Sequence, residues 1–304
     1  MKFLYVLAST NNDTYAEQAF VSITSLRMHN KDAFVSLLVD NKTDKNLDER
    51  KFKLKELVNE TTVIAFEESI SQMERSRQLK TRMRNLVRGD FLFIDCDTII
   101  CEDLTSVFKC EHNLAAVADT HIEFVNSAVY KRTCDILKKV NKHKLPIEKF
   151  YFNSGILFVK DCDENVDFFN KWNELWNLYK VRNNIYQDQI SLAFANMELK
   201  FPISELSGIW NCQIQYGMNY FVNAKILHYF ATVGFEYGNF KKQILLSLKE
   251  TGILTEDYLL EIKEPKHGFP NPHLVISGND YTFFHYFRLS NYYLKRFLRK
   301  FTIF

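Results

Sequence analysis

Nine glycines and five prolines are few for 304 residues, against usual shares of about 7% and 5%. That shortage excludes collagen-like and low-complexity chains and argues against a turn-dense all-β fold. No apolar run approaches the roughly 18 residues that a membrane-spanning helix needs. The segment Met1–Ala8 has one basic residue and only a short apolar run, weak for a secretory leader and better read as a first strand. The six cysteines, Cys96, Cys101, Cys110, Cys134, Cys162 and Cys212, form no C-x-x-C pair and no regular framework. They read as reduced thiols of a cytoplasmic protein, and metal binding through cysteine is not expected. Internal repeats and Pro/Gly/Ser linkers are also missing.

What is present is ordinary in amount and uneven in placement. Hydrophobic residues make up 46% and charged residues 25%, with 27 Phe and 15 Tyr, enough to bury a sizeable core. Net charge is +2, from 39 basic and 37 acidic residues. Residues 281–304 carry Arg288, Lys295, Arg296, Arg299 and Lys300 and no acid, a net of +5, so the remaining 280 sum to −3. The body is therefore no nucleic-acid binder by charge, and the tail is a basic, aromatic appendage.

Short apolar runs alternate with longer helical patterns, the signature of an α/β sheet. Strands are expected at Phe3–Ala8, Phe34–Val39, Thr61–Phe66, Phe91–Ile94, Leu114–Ala118, Ile156–Val159 and Lys225–Tyr229. Helices are expected at Asp13–His29, Leu47–Asn59 and Ser69–Val87. Another, Asp163–Lys180, aligns Val166, Phe169, Trp172, Trp176 and Tyr179 on one face, with Asp161 or Asp163 as its N-cap. Beyond about residue 240 the pattern is helical and irregular, which divides the chain into 1–240 and a C-terminal region, 241–304.

Asp95-Cys96-Asp97 follows directly on the apolar run Phe91–Ile94. A side chain at the end of an open-sheet strand projects into the crevice where ligands bind. In extended chain, residues two apart point to the same side, so both carboxylates can face one point. Two hard oxygen ligands there suit Mg²⁺ or Mn²⁺, with phosphate oxygens and water completing the shell. A pair of loop-capping aspartates would have the same spacing.

The order of several further segments gives this motif context. Ala8-Ser9-Thr10 and Tyr15 follow the first strand, and Arg77-Gln78-Leu79-Lys80-Thr81 lies on the third helix. Tyr151-Phe152-Asn153-Ser154-Gly155, Tyr186-Gln187-Asp188-Gln189 and Leu227-His228-Tyr229 come after the acidic pair. In this order, over about residues 1–235, the chain resembles glycosyltransferases of the GT-A fold, most closely the retaining, family 8-like bacterial enzymes. The resemblance implies an α/β fold with a mostly parallel, Rossmann-like open sheet, followed here by a helical basic tail. It implies that Asp95, Asp97 and His228 hold a divalent metal, the histidine favouring Mn²⁺ over Mg²⁺. The metal would bridge the diphosphate of a nucleotide-sugar, most simply a UDP-hexose, assisted by Arg77 and Lys80. Ala8, Ser9, Tyr15, Asp119 and Asn153 would contact the donor. Asp188 and Gln189 would stand by the anomeric carbon, Gln189 stabilising an oxocarbenium-like centre and Asp188 orienting sugar hydroxyls.

One stretch departs from the family. Its members follow the metal histidine with Gly and a Lys-Pro-Trp-like segment, where this chain reads His228-Tyr229-Phe230-Ala231-Thr232-Val233-Gly234-Phe235. Lys241 or Lys242 is the nearest substitute for the missing lysine. Two other readings are a non-catalytic sugar-binding relative and a phosphatase that uses the acidic motif as nucleophile. In the tail, Leu294, Phe297, Leu298 and Phe301 recur at helical spacing, flanked by Lys295, Arg296, Arg299 and Lys300. Such a helix can lie on an anionic bilayer, here the inner face of the cytoplasmic membrane, which would suit a glycan acceptor carried on a lipid.

Overall fold

In the computed structural model, which describes residues 2–127, 129–140, 147–214, 220–229 and 236–266, most of the apolar runs become strands buried on both sides, whereas the edge strand Glu60–Ile64 stays partly exposed. In chain order the elements are β1 (Lys2–Leu7), α1 (Tyr15–His29), β2 (Val35–Asp40), α2 (Asn41–Glu49), β3 (Glu60–Ile64), α3 (Gln72–Leu86), β4 (Phe91–Ile94), β5 (Thr98–Ile100) and β6 (Leu114–Ala118). They continue with α4 (Tyr130–Val140), β7 (Phe152–Val159), α5 (Asp163–Asn183), α6 (Asp188–Glu198), β8 (Ser204–Leu206), β9 (Cys212–Gln213), β10 (Ile226–His228), α7 (Glu236–Thr251) and α8 (Glu256–Lys263).

Seven strands form the main sheet in the order β3-β2-β1-β4-β7-β6-β8. Only β7 runs against its neighbours; the other pairings are parallel. Alternate residues feed two separate cores. Phe3, Tyr5, Leu7, Leu92 and Ile94 face a layer holding α1 and, through Ile244, Leu248 and Ile262, α7 and α8. Leu4, Phe91 and Phe93 face α3, α5 and α6. A small second sheet, β5-β10-β9, packs under α1.

Several expectations shift for identifiable reasons. The second helix begins at Asn41 rather than Leu47, because Asp40, the last strand residue, caps it by accepting from the Lys42 and Thr43 amides. The chain then forms only a 3₁₀ turn at Leu54–Leu57. The α5 stripe is core as expected, with Phe168 and Leu175 also buried and Val166 only partly so. Its N-cap, however, is Cys162 without a side-chain bond. Asp161 instead accepts from the Gly89 amide and pairs with Arg84. Strands of two or three residues (β5, β8, β9) carry too little periodicity to be read, and α4 and α6 were likewise not anticipated. The tail segment 281–304 and the stretch Phe230–Phe235 lie outside the described residues, as do the side chains of Lys241 and Lys242.

Candidate active site

The chain runs outward from β1 through β2 to β3, then returns to the other side of β1 as β4. That reversal is a topological switch point, where open sheets bind ligands beyond the carboxyl ends of the strands. Ala8-Ser9 leaves β1 there and Asp95 leaves β4. Because β7 is antiparallel, its first residues, Asn153-Ser154-Gly155, lie at the same edge; Ile94 pairs with Ile156 and the Asp95 amide donates to the Gly155 carbonyl at 2.8 Å.

The acidic pair is not in extended chain as expected. Residues 96–97 form a bend between β4 and β5, closed by Thr98 Oγ1 donating to the Asp95 carbonyl at 2.8 Å. Convergence is achieved by the second sheet instead. Antiparallel pairing sets His228 opposite Thr98, and the Tyr229 amide donates to the Asp97 carbonyl at 3.1 Å. One ligand atom from each of Asp95, Asp97 and His228 lies within 4.8 Å of the others. The Asp95 and Asp97 side chains keep 28% and 26% of their surface exposed, open to an ion from solvent, while His228 is 4% exposed. Its Nε2 lies 3.2 Å from Asp97 Oδ1 and its Nδ1 lies 2.8 Å from Asn211 Oδ1. Gly155 lets these groups close up: a Cβ there would stand 2.5 Å from His228 Cε1 and 3.0 Å from Asp95 Oδ2.

Arg77 and Lys80 share one face of α3 as expected, but Lys80 is buried and Arg77, with 32% of its side chain exposed, is ion-paired. Lys80 is 5% exposed. Its ammonium donates to both Asp95 oxygens at 3.1 and 3.2 Å and lies 3.3 Å from Asp188 Oδ2. Arg77 Nε lies 3.1 Å from Asp188 Oδ1, and Ser154 Oγ donates to Asp188 at 2.9 Å. Asp188 opens α6, and its carbonyl accepts from the Trp172 indole at 2.9 Å. The Tyr186 carbonyl accepts from Trp176 at 3.1 Å. The aromatic stripe of α5 is thus both core and the anchor of the 186–189 segment. Asn153 Nδ2 donates to Asp119 at 3.0 Å, and Gln189, next to Asp188 on α6, lies beside the side chains of Asp119 and Tyr151.

Burial and charge act against each other here. Burial, reinforced by Asp97, raises Asp95 above the usual carboxylate range despite Lys80. For Asp97 burial is outweighed by His228, and its carboxyl is lowered; His228 is raised in turn by Asp97 against its own desolvation. Burial of Asp188 is likewise overcome, by Arg77 and Lys80, which hold it well below the ordinary range. Asp119 is raised by burial. Two close carboxylates beside an imidazole anchored through its far nitrogen form a donor set suited to a divalent cation.

The remaining donor candidates line the β1 side. Ser9 is buried, its Oγ donating to Asp13 at 2.7 Å, and the Ala8 carbonyl accepts from Gln72 at 2.9 Å. Tyr15, half exposed, begins α1. Among the described residues, Ala8, Ser9 and Tyr15 hydrogen-bond on the β1 side and not to Asp95, Asp97 or His228. Asp13, Gln72 and Asn211 were not anticipated: none stands in a recognisable motif, and their roles come only from the contacts.

The galactosyltransferase LgtC, solved in complex with donor and acceptor sugar analogs, aligns over 85% of this chain and 99% of its own, at 15% identity and a TM-score of 0.55. An active-site mutant of LgtC gives the same figures. Mouse xyloside xylosyltransferase 1 aligns over 77% of this chain and 99% of its own, at 15% identity and a TM-score of 0.49. No curated protein matches the sequence. The sheet order and its flanking layers are those of the GT-A fold. Residues 6–235 match glycosyl transferase family 8. The chain belongs to that family and is a glycosyltransferase, which removes the phosphatase reading of the acidic motif.

Proposed function

We infer that the enzyme moves a hexose from a nucleotide-diphosphate sugar, a UDP-sugar by preference, to a glycan or lipid-linked acceptor, with a divalent metal and with retention of configuration. The observation that carries this reading is the convergence of Asp95, Asp97 and His228 beside Asn153, Asp119, Asp188 and Gln189. Asp95, Asp97 and His228 would hold the ion, Mn²⁺ before Mg²⁺. Bound there, it supplies positive charge for the departing diphosphate. Asn153 and Asp119 offer a donor and an acceptor to sugar hydroxyls. Asp188, kept ionised by Arg77 and Lys80, orients hydroxyls and cannot itself serve as an acid. Gln189 is a poor nucleophile, and its amide suits stabilising positive charge on the sugar ring during same-face transfer.

Screening nucleotide-sugars for Mn²⁺-dependent release of the nucleoside diphosphate tests the reading. One donor should be hydrolysed, and Asp97→Asn, nearly isosteric, should abolish the metal-dependent rate while the fold persists. Equal Mn²⁺-dependent turnover in the variant refutes the ligand set, and no turnover with any donor favours a non-catalytic sugar-binding role. Among the described residues no helix is long and apolar enough to cross a membrane. The basic aromatic sequence 281–304 supports peripheral contact with anionic lipid at the cytoplasmic face. Truncation after Asp280 should abolish low-salt liposome sedimentation and keep hydrolysis; loss of the fold on truncation counts against this contact.

A further inference from the structure

Asn211 is fully buried, stands in no motif, and faces the site with both ends of its amide. Chemistry fixes which end faces which partner. The Gly155 backbone N–H can only donate, so the Asn153 atom facing it at 2.9 Å is the carbonyl Oδ1. The same Oδ1 lies 3.0 Å from Asn211, which must therefore present Nδ2–H there. Asn211 Oδ1 is left facing His228 Nδ1 at 2.8 Å, and that nitrogen must carry the proton. At the far end Asn153 Nδ2 donates to Asp119. The backbone bond from the Ile214 amide to the His228 carbonyl fixes the strand but not the ring. Among the described residues the ring's hydrogen bonds run to Asn211 at one nitrogen and to Asp97 at the other.

We propose that Asn211 is a positioning residue that fixes a proton on Nδ1 of His228, so that Nε2, facing Asp97, is the nitrogen left to give up its proton, and that it ties the ring to Asn153 and Asp119 through one directed hydrogen-bond chain. Its consequence for metal affinity rests on the reading that Asp95, Asp97 and His228 hold the ion. Outer partners of ligating histidines are worth about 10–100-fold in metal affinity.

The test uses the full chain with ¹⁵N-labelled histidine and two variants. Asn211→Leu removes the acceptor at similar volume. Asn211→Asp keeps an oxygen on His228 and sets another against Asn153 Oδ1. Two-bond nitrogen–proton correlation spectra, with His228 assigned by its loss in His228→Gln, report the tautomer without metal; the signal of free Mn²⁺ in electron paramagnetic resonance reports binding. In the wild type Nδ1 should stay protonated from about pH 6 to about pH 9. In Asn211→Leu the proton should move to Nε2, facing Asp97, at the upper pH, with the Mn²⁺ Kd raised about 10–100-fold. Asn211→Asp should keep Nδ1–H and bind Mn²⁺ about as well as the wild type, a split that a packing role alone would not produce. A wild-type His228 protonated at Nε2 alone, or an Asp variant that loses Mn²⁺ as the Leu variant does, overturns the proposal. Should Asn211→Leu not fold, the wild type and the Asp variant decide. A wild type that binds no Mn²⁺ refutes the metal reading, and the metal-free spectra then uphold or overturn the tautomer by themselves.

Discussion

Adding one methyl group at Gly155 perturbs the candidate metal centre with little else. The backbone at 155 is not left-handed, so alanine is conformationally allowed and its cost is steric. Its Cβ would meet His228 Cε1 at 2.5 Å, Asn153 Oδ1 at 2.9 Å and Asp95 Oδ2 at 3.0 Å. Ordinary carbon–carbon contact begins at about 3.5 Å, so the ring and the new methyl must separate by about 1 Å. None of the three neighbours is a loose chain end. His228 is held at both nitrogens, Asn153 Oδ1 accepts from Asn211 and the Gly155 amide, and Asp95 is held by Lys80. Functional constellations tolerate displacement of only about 0.5 Å, so the Mn²⁺ Kd should rise at least about tenfold. Overpacking should cost about 1–3 kcal/mol, a Tm loss of roughly 2–4 °C per kcal/mol for chains near this size. Isothermal titration with Mn²⁺ and calorimetric melting measure the two effects. Gly89→Ala is the control: φ is +80° with nothing within 4 Å of its Cβ, so it should lose about 1–2 kcal/mol and keep its metal affinity. Unchanged Mn²⁺ affinity in Gly155→Ala would refute the assignment of these groups to one metal centre.

Lys80→Met leaves Asp95 without its cation and Asp188 with Arg77 alone, and should cost about 3–5 kcal/mol in urea unfolding; a wild-type midpoint contradicts it. Because the folded-state carboxyl of Asp188 lies below its unfolded value, its stabilisation is present above about pH 4 and is lost as pH falls through the lower folded value. Urea midpoints of wild type and Asp188→Asn should therefore converge on acidification, and a constant gap would show that the charge is not the cause. Trp172→Phe removes one of two side-chain donors to the buried Asp188 carbonyl, which keeps Ser191 Oγ at 2.8 Å, and should cost about 0.5–1.5 kcal/mol, with kcat falling as the 188–189 segment loosens; equal kcat would separate the anchor from catalysis. Gln189→Ala should lower kcat more than it raises KM, since its contact strengthens as charge develops. Early product from an α-linked donor should show an α-linkage by proton NMR, and a β-linkage would refute retention.

The sequence disclosed what local chemistry specifies and hid what tertiary pairing specifies. Phe91–Ile94 and Leu114–Ala118 were legible to the residue because strands buried on both faces are unbroken apolar runs. The start of α2 was hidden because its capping residue, Asp40, is also the last residue of a strand. Asp95 and Asp97 were identified as a pair, but through an extended geometry that the bend at 96–97 replaces; β5 and β10, three residues each, bring His228 to them. No local pattern could disclose that Lys80 is buried between Asp95 and Asp188, since Arg77 and Lys80 have the spacing of any solvated helix face. Asn211 lay deeper still. A lone asparagine between Trp210 and Cys212 has no periodicity and no partner within a turn, and its amide gains meaning only from Gly155, 56 positions earlier, whose N–H fixes Asn153 and so fixes Asn211. Isolated chemical groups are visible in sequence when their spacing is the site's spacing. Where strand pairing closes the site, the orienting residues answer to contacts, and substitution at Asn211 tests the geometry more severely than substitution at the aspartates that announced it.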